Sequence, residues 1–408
     1  MRSFFTNAWR RGLLFLVLPL AMAGALRADE VTDWHEHMLA ALGASPIVGS
    51  RDAALVSAAV FDAVNGIERR YAPIHVPAAA PRGASKRAAA VQAAYVILLS
   101  RFPAQATDLA AKRAASLAAI DNGESKRRGM EWGQTVAAAI LAWRSTDGFT
   151  PTPAPFLGGG ALGQWRPTPP ANLPGAVPQF ATMTPWGIQS PDQFRPDGPP
   201  ALDSPQYLAD YDEVREMGSA TSALRTDDQT DACLFMNSTS ANYLWNRAAI
   251  DLGAAQGTDL SENAHLLATL NLAIADALIA CWDAKYKFEF WRPVTAIRLA
   301  DDPEWTPLFA TPPHPEYTSG HSSASSAAAT VLADYFGDDT PFMLQSPAAP
   351  GWFRIYPSFS SAVDEVTDAR VFAGIHFRAA CEDGEVLGSE VAAFILENRM
   401  RHIHGEGE

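Results

Sequence analysis

The chain has 408 residues, 48% of them hydrophobic and 19% charged, with a formal net charge of −14. That length and apolar fraction suffice to bury a large core, as one big domain or two merged ones, and exclude a disordered tail. The acidic balance excludes a general nucleic-acid binder, which needs a basic face to neutralise phosphates, so any cationic site must be local.

The first 28 residues read as an export signal. Arg2, Arg10 and Arg11 precede the apolar run GLLFLVLPLAMAGAL, and small residues follow at Ala23, Ala25 and Ala28. The run is short for a membrane span, and an uncleaved anchor is the alternative. Removal through Ala28 takes away four arginines and no acid, moving the net charge from −14 to −18. The pair Arg10 and Arg11 is compatible with twin-arginine export and equally with an ordinary secretory signal, and both predict a periplasmic or secreted protein.

From 29 to 147 the pattern predicts an N-terminal helical bundle. SRDAALVSAAVFDAVNGIERRY starts on Ser50 as an N-cap and meets Gly66 near its end, and KRAAAVQAAYVILLSRF and ESKRRGMEWGQTVAAAILAWRS keep the same periodicity. Residues 148–206 are broken by many prolines and glycines. They also carry Phe156, Trp165, Phe180 and Trp186, which predicts an ordered wrapping segment. Helical patterns resume over 207–408, so the fold class expected is all-α, two packed helical bundles with a long Pro-rich wrapping loop. No run beyond the leader reads as a span, so no stable membrane segment is expected after cleavage. Cys233, Cys281 and Cys381 lack metal-site spacing and read as buried small hydrophobes with room for one bridge. DWHEHM, near the N-terminus, is not the zinc signature HExxH, and RHIHGEGE reads as a solvated tail.

Three segments of the last bundle carry unusual polar residues. In KYKFEFWRP, Lys285 and Arg292 are seven apart, so two helical turns place both on one face, and Pro293 favours a helix end at Arg292. In PPHPEYTSGHSS, Ser319, Gly320 and His321 offer a hydroxyl, an open backbone N–H and an imidazole to one small ligand. In ARVFAGIHFRAA, Arg370 and His376 are six apart, which a continuous helix sets about 120° apart, so a long Arg reach or a break near Gly374 is required. Three cations around a tetrahedral oxyanion, with two histidines to attack or coordinate its centre and to move protons, are what phosphate or vanadate chemistry needs.

At these residues the chain resembles the superfamily of vanadium-dependent haloperoxidases and type-2 phosphatidic acid phosphatases, whose pattern is Lys, six residues, Arg-Pro; Ser-Gly-His; and Arg, five residues, His. KYKFEFWRPVTAIR, FDAVNGIERRY and WRPTPP are similar to the soluble bacterial haloperoxidase-like branch, over most of residues 35 to 400. The resemblance implies vanadate as cofactor, with phosphate able to occupy the same site. It implies His376 as axial vanadium ligand or phosphatase nucleophile, His321 as acid–base residue, and Lys285, Arg292, Ser319, the Gly320 amide and Arg370 around the equatorial oxygens. It sets Trp282 and His314 on the halide side, where His rather than Phe at the latter position goes with bromide rather than chloride.

The implied reaction is oxidation of halide by hydrogen peroxide to a hypohalous species that halogenates a small organic acceptor; the oligomeric state stays open. Two alternatives use the same pocket: an exported acid phosphatase working through a phosphohistidine, and a non-catalytic oxyanion-binding protein. Three positions depart from the pattern. Ala369 stands where Ser is usual, Thr318 where Pro is common, and Ala380 where an acid four residues after the last His is usual, with Glu382 and Asp383 just beyond. A missing carboxylate partner leaves an imidazole less well oriented.

Overall fold

The structure, a computed structural model, describes residues 29–42 and 46–403; the export signal lies outside the described residues. Five helices come first: α1 (Glu30–Ala41), α2 (Pro46–Glu68), α3 (Lys86–Arg101), α4 (Ala106–Ala118) and α5 (Glu124–Arg144). Eight follow after a long irregular stretch: α6 (Pro205–Met217), α7 (Asp227–Asn237), α8 (Ala241–Gln256), α9 (Leu260–Phe288), α10 (Pro293–Ala300), α11 (Gly320–Phe336), α12 (Phe359–Phe372) and α13 (Arg378–Asn398). The described residues are mostly helical, as expected. The addition is one antiparallel hairpin, β1 (Phe342–Gln345) with β2 (Phe353–Tyr356), in the register Phe342↔Tyr356. Phe342, Leu344 and Tyr356 turn its inner face to the core.

α9 is the axis of the molecule, packed against α2, α8, α11 and α13. Its start is fixed chemically: Asp259 accepts from the Ser261 and Glu262 amides, and the Glu262 carboxylate accepts from the Asp259 amide. Contrary to the sequence expectation, α9 is long and apolar enough to cross a membrane, by an 18-residue stretch within it. Yet 94% of that stretch is buried inside the protein, so its all-round apolarity fits a helix surrounded by others.

The segment between α5 and α6 is irregular but tied down. Asp276 of α9, fully buried, accepts from the backbone amides of Trp186, Gly187 and Ile188 at 2.7, 2.6 and 2.9 Å. Trp165 and Phe180 of the same segment are fully buried. Two local expectations change. α2 begins at Pro46 rather than at Ser50, whose hydroxyl instead donates to Ile47 O at 2.7 Å within the first turn. The three cysteines are free and buried, with no bridge. His35 of DWHEHM is a core histidine held between Val31 O and Ser57 Oγ. Of RHIHGEGE, residues 401–403 are exposed, with Ile403 N donating to Arg70 O; residues 404–408 lie outside the described residues.

Candidate active site

Lys285 lies on the last turn of α9, but Arg292 is not its neighbour along one helix face. The helix stops at Phe288, Glu289 takes a left-handed conformation (φ 48°), and Arg292 is the residue before Pro293 at the start of α10. The expected shared face is therefore corrected to a corner between two helices. Ser319 caps α11, its Oγ accepting from the Ser322 amide at 3.3 Å, so Gly320 and His321 lie in the first turn, whose N–H groups have no partner within the helix. A Cβ at Gly320 would lie 3.3 Å from the Trp282 ring, which explains glycine there. The break anticipated near Gly374 is present: α12 ends at Phe372, Gly374 has φ 77°, and α13 begins at Arg378. That turn redirects the chain so that Arg370 and His376 line one cavity.

The cavity, about 490 Å³, is lined by Trp282, His314, Gly320, His321, Arg370 and His376 among others. Lys285, Arg292 and Ser319 sit behind this wall, each fully buried. Lys285 Nζ donates to three carbonyls of the approach loop, those of Pro315 (3.0 Å), Glu316 (2.8 Å) and Thr318. Arg292 donates to His314 O (3.0 Å), Ile375 O (2.7 Å), His376 Nε2 (3.1 Å) and His314 Nδ1 (2.9 Å). Arg370, 1% exposed, keeps its Nε and Nη1 buried without partners among the described residues. Trp282 and His314 stand with ring centroids 4.9 Å apart.

Sequence reasoning missed Glu316. Its Oε1 accepts from His376 Nδ1 at 2.8 Å and from the Phe377 amide at 3.0 Å, with the carboxyl fully buried. The carboxylate partner that Ala380 does not supply thus comes from the loop before Ser319. Ala380 contributes only its carbonyl, which accepts from the Ser319 amide at 2.8 Å. Glu316 falls five residues before His321, and nothing in local periodicity marks it. Asp383 is engaged elsewhere, accepting from the Tyr317 hydroxyl at 2.6 Å.

Because a guanidinium only donates, Arg292 fixes the lone pair of His376 on Nε2 and its proton on Nδ1, toward Glu316. Burial, and then the nearby Arg292 and Lys285 charges, hold His376 and His314 well below the usual histidine range, so both rings are neutral. His321 is shifted the same way by burial and then by Arg370. Burial lowers Lys285 to about 8, and Arg292 and Arg370 each to about 10. It raises Glu316 to about 7 against the pull of Arg292 and Lys285. Three buried cations face one buried carboxyl, an imbalance that an oxyanion would relieve. The orphaned Arg370 donors, the open first turn of α11 and the neutral His376 fit vanadate or phosphate.

Residues 265–405 match the family model described as the second helical-bundle domain of VCPO. Among curated proteins, vanadium chloroperoxidase of Curvularia inaequalis is 34% identical over 88 residues; the match covers 18% of this chain and only 14% of that protein's length. Among solved structures, a bacterial vanadium-dependent iodoperoxidase superposes with a TM-score of 0.81 at 26% identity, over 91% of this chain and 97% of that one. A holo-type bacterial vanadium-dependent chloroperoxidase follows at 0.70 and 20% identity, over 86% and 91%, a likeness that speaks to the fold alone. The last third of the chain thus resembles the second helical-bundle domain of VCPO, and the fold of nearly the whole chain is that of the bacterial vanadium-dependent iodoperoxidase.

Proposed function

We propose that this protein is a vanadate-dependent haloperoxidase, oxidising halide with hydrogen peroxide to a hypohalous species that halogenates small organic acceptors, and preferring bromide to chloride. The observation that carries it is the meeting of Lys285, Arg292 and Arg370, all buried, with a neutral His376 and the first turn of α11. His376 Nε2 would ligate the vanadium, and the three cations with Ser319 and the Gly320 amide would hold the oxygens. Bound there, vanadate supplies a Lewis-acidic centre that activates peroxide for two-electron oxidation of halide. Glu316 keeps the His376 ring oriented with its lone pair on Nε2. His321, neutral and half-buried at the cavity wall, takes up and returns the peroxide protons. Trp282 and His314, stacked obliquely across the same cavity, form the halide side, and His314 supports the bromide preference. The N-terminal leader supports a periplasmic or secreted location, checked by sequencing the N-terminus of the exported protein.

The test is bromide-dependent halogenation of a dimedone-type acceptor by metal-stripped protein with peroxide, before and after vanadate, with chloride and iodide in parallel. Activity that appears only with vanadate and vanishes in His376→Ala establishes the reading. Silence with every halide removes it, and phosphate-ester hydrolysis then separates a phosphatase from an oxyanion-binding protein.

A further inference from the structure

α11 and α13 lie so close that a Cβ on Gly384 would stand 2.9 Å from Ser319 O, and one on Gly388 2.2 Å from Ser323 O. That approach sets Glu385, the neighbour of Gly384, beside a row of hydroxyls that starts at the candidate anion site. Ser319 Oγ accepts from both the amide (3.3 Å) and the hydroxyl (3.0 Å) of Ser322. Ser322 Oγ stands 3.3 Å from Thr367 Oγ1 of α12, and Thr367 Oγ1 donates to Glu385 Oε1. Ser319 and Ser322 are fully buried and Thr367 nearly so, while Glu385 is half-buried and reaches solvent. Ser326 Oγ, donating to the Glu385 carbonyl at 2.7 Å, ties the two helices together here.

Each hydroxyl in this row has one proton to give, so the direction of one link constrains the next. Ser319 takes two hydrogen bonds on its oxygen. Its own proton meets, among the described residues, no acceptor stronger than the Cys381 thiol, which burial keeps neutral. With Glu385 protonated, every link runs one way: Glu385 to Thr367, Thr367 to Ser322, Ser322 to Ser319, and Ser319 to an anion. With Glu385 ionised, Thr367 donates to the carboxylate, and its contact with Ser322 is made only if Ser322 donates in turn. The Ser322 oxygen then competes with the anion for the Ser319 proton.

We propose that Thr367 and Glu385 are positioning residues of the oxyanion site, acting through Ser322 to set whether the Ser319 hydroxyl donates to the bound anion or turns back along the row. The inference deepens the reading of this site as an oxyanion site and rests on it. Apart from the proton that Glu385 exchanges with solvent, no bond breaks; the hydroxyls only rotate. Burial, and then Asp364 of α12 and Glu382, hold the Glu385 carboxyl above the usual glutamate range, against the Thr367 hydrogen bond and the Arg378 charge. Arg378 is itself shared with Glu213 of α6 and Asp368 of α12. Anion binding is therefore strongest while Glu385 is protonated and weakens as the pH rises through its titration.

Calorimetric titration with sulfate, a tetrahedral dianion whose charge is constant between pH 5 and pH 7, tests the row. Wild-type protein is expected to bind it more weakly at pH 7 than at pH 5. Glu316, raised to about 7, contributes to that fall, so the variants carry the test. Glu385→Gln donates at every pH, and Thr367→Val removes the hydroxyl while keeping the Glu385 charge. Each should shrink the fall by about three- to tenfold, the worth of one hydrogen bond, and Thr367→Ser should restore it. Ser322→Ala, which cuts the row at its next link, serves if the Val variant does not fold. A fall unchanged in Glu385→Gln overturns the proposal. So does a fall lost in Glu385→Gln but kept in Thr367→Val and Ser322→Ala, because the carboxylate then acts by its field alone. Vanadate-dependent halide oxidation is measured separately. The expected sulfate pattern with no halide oxidised keeps the row and removes the haloperoxidase reading, whereas halide oxidation with a pH course that no variant alters does the reverse.

Discussion

Arg144 and Arg370 are each 1% exposed, yet their surroundings differ in kind. Arg144, where the first five helices meet the irregular segment, shares Asp147 with Arg51, donates to the carbonyls of Thr184 and Pro185, and lies 4.0 Å over the Trp186 ring. Its hydrogen bonds clamp two parts of the chain together. Arg370 has a ring beside it, Phe309 at 5.7 Å, but among the described residues its Nε and Nη1 have no acceptor. A buried cation with its partners in place serves the fold. One without them is costly to the fold and marks a place where an anion belongs.

The comparison is broken most directly by His376→Ala, expected to abolish vanadate-dependent halogenation while circular dichroism stays native. Arg370→Met should cut that activity by about 10²–10³-fold. Because it removes an unpaired buried charge, the melting temperature should hold or rise. The same exchange at Arg144 should do the opposite, costing about 3 kcal/mol of stability in urea denaturation, since Asp147 and the carbonyls it serves lose a donor. If the two variants behave alike in both assays, the distinction drawn here is wrong.

Glu316→Gln sharpens the same contrast at a smaller scale. It keeps an acceptor for His376 Nδ1 but removes the charge, and should weaken vanadate binding about 10–100-fold in a direct titration. The smallest effect expected is on pH. Lys285, lowered to about 8 by burial, contributes to anion binding only while protonated. Raising the pH through that value removes the charge, so phosphate, almost wholly dianionic above about pH 8, should bind about tenfold more weakly per unit from there. Glu316, raised to about 7, acts in the same direction as its ionisation adds negative charge. Phosphate affinity by calorimetry at pH 7.5 and 9.5, with Lys285→Arg flattening the fall, is the check.

Much of the fold was legible because apolar residues recur at helical spacing and caps sit where helices begin, as Asp259 does for α9. The Lys285, Arg292–Pro293, Ser319–Gly320–His321, Arg370 and His376 pattern was legible because it is local, each piece spanning less than ten residues. The break at Gly374 could be anticipated from angle alone. Glu316 could not. Its partner His376 is 60 residues away, and no periodicity connects a loop carboxylate to an imidazole at another helix start. The helical face assigned to Lys285 and Arg292 was wrong because Glu289 ends α9 in a left-handed conformation, an outcome that neither composition nor spacing marks.

The sequence by itself therefore determined a mostly helical protein and the chemical kinds of residue at its site, since hydrophobic period and short motifs are properties of neighbouring residues. Only the tertiary structure decided which polar atoms are satisfied: that Lys285 spends its donors on loop carbonyls, that Glu316 holds His376, and that Arg370 is left with unpartnered atoms among the described residues. Satisfaction of a buried group depends on residues brought together from distant parts of the chain, and packing alone sets which of them arrive within hydrogen-bond distance.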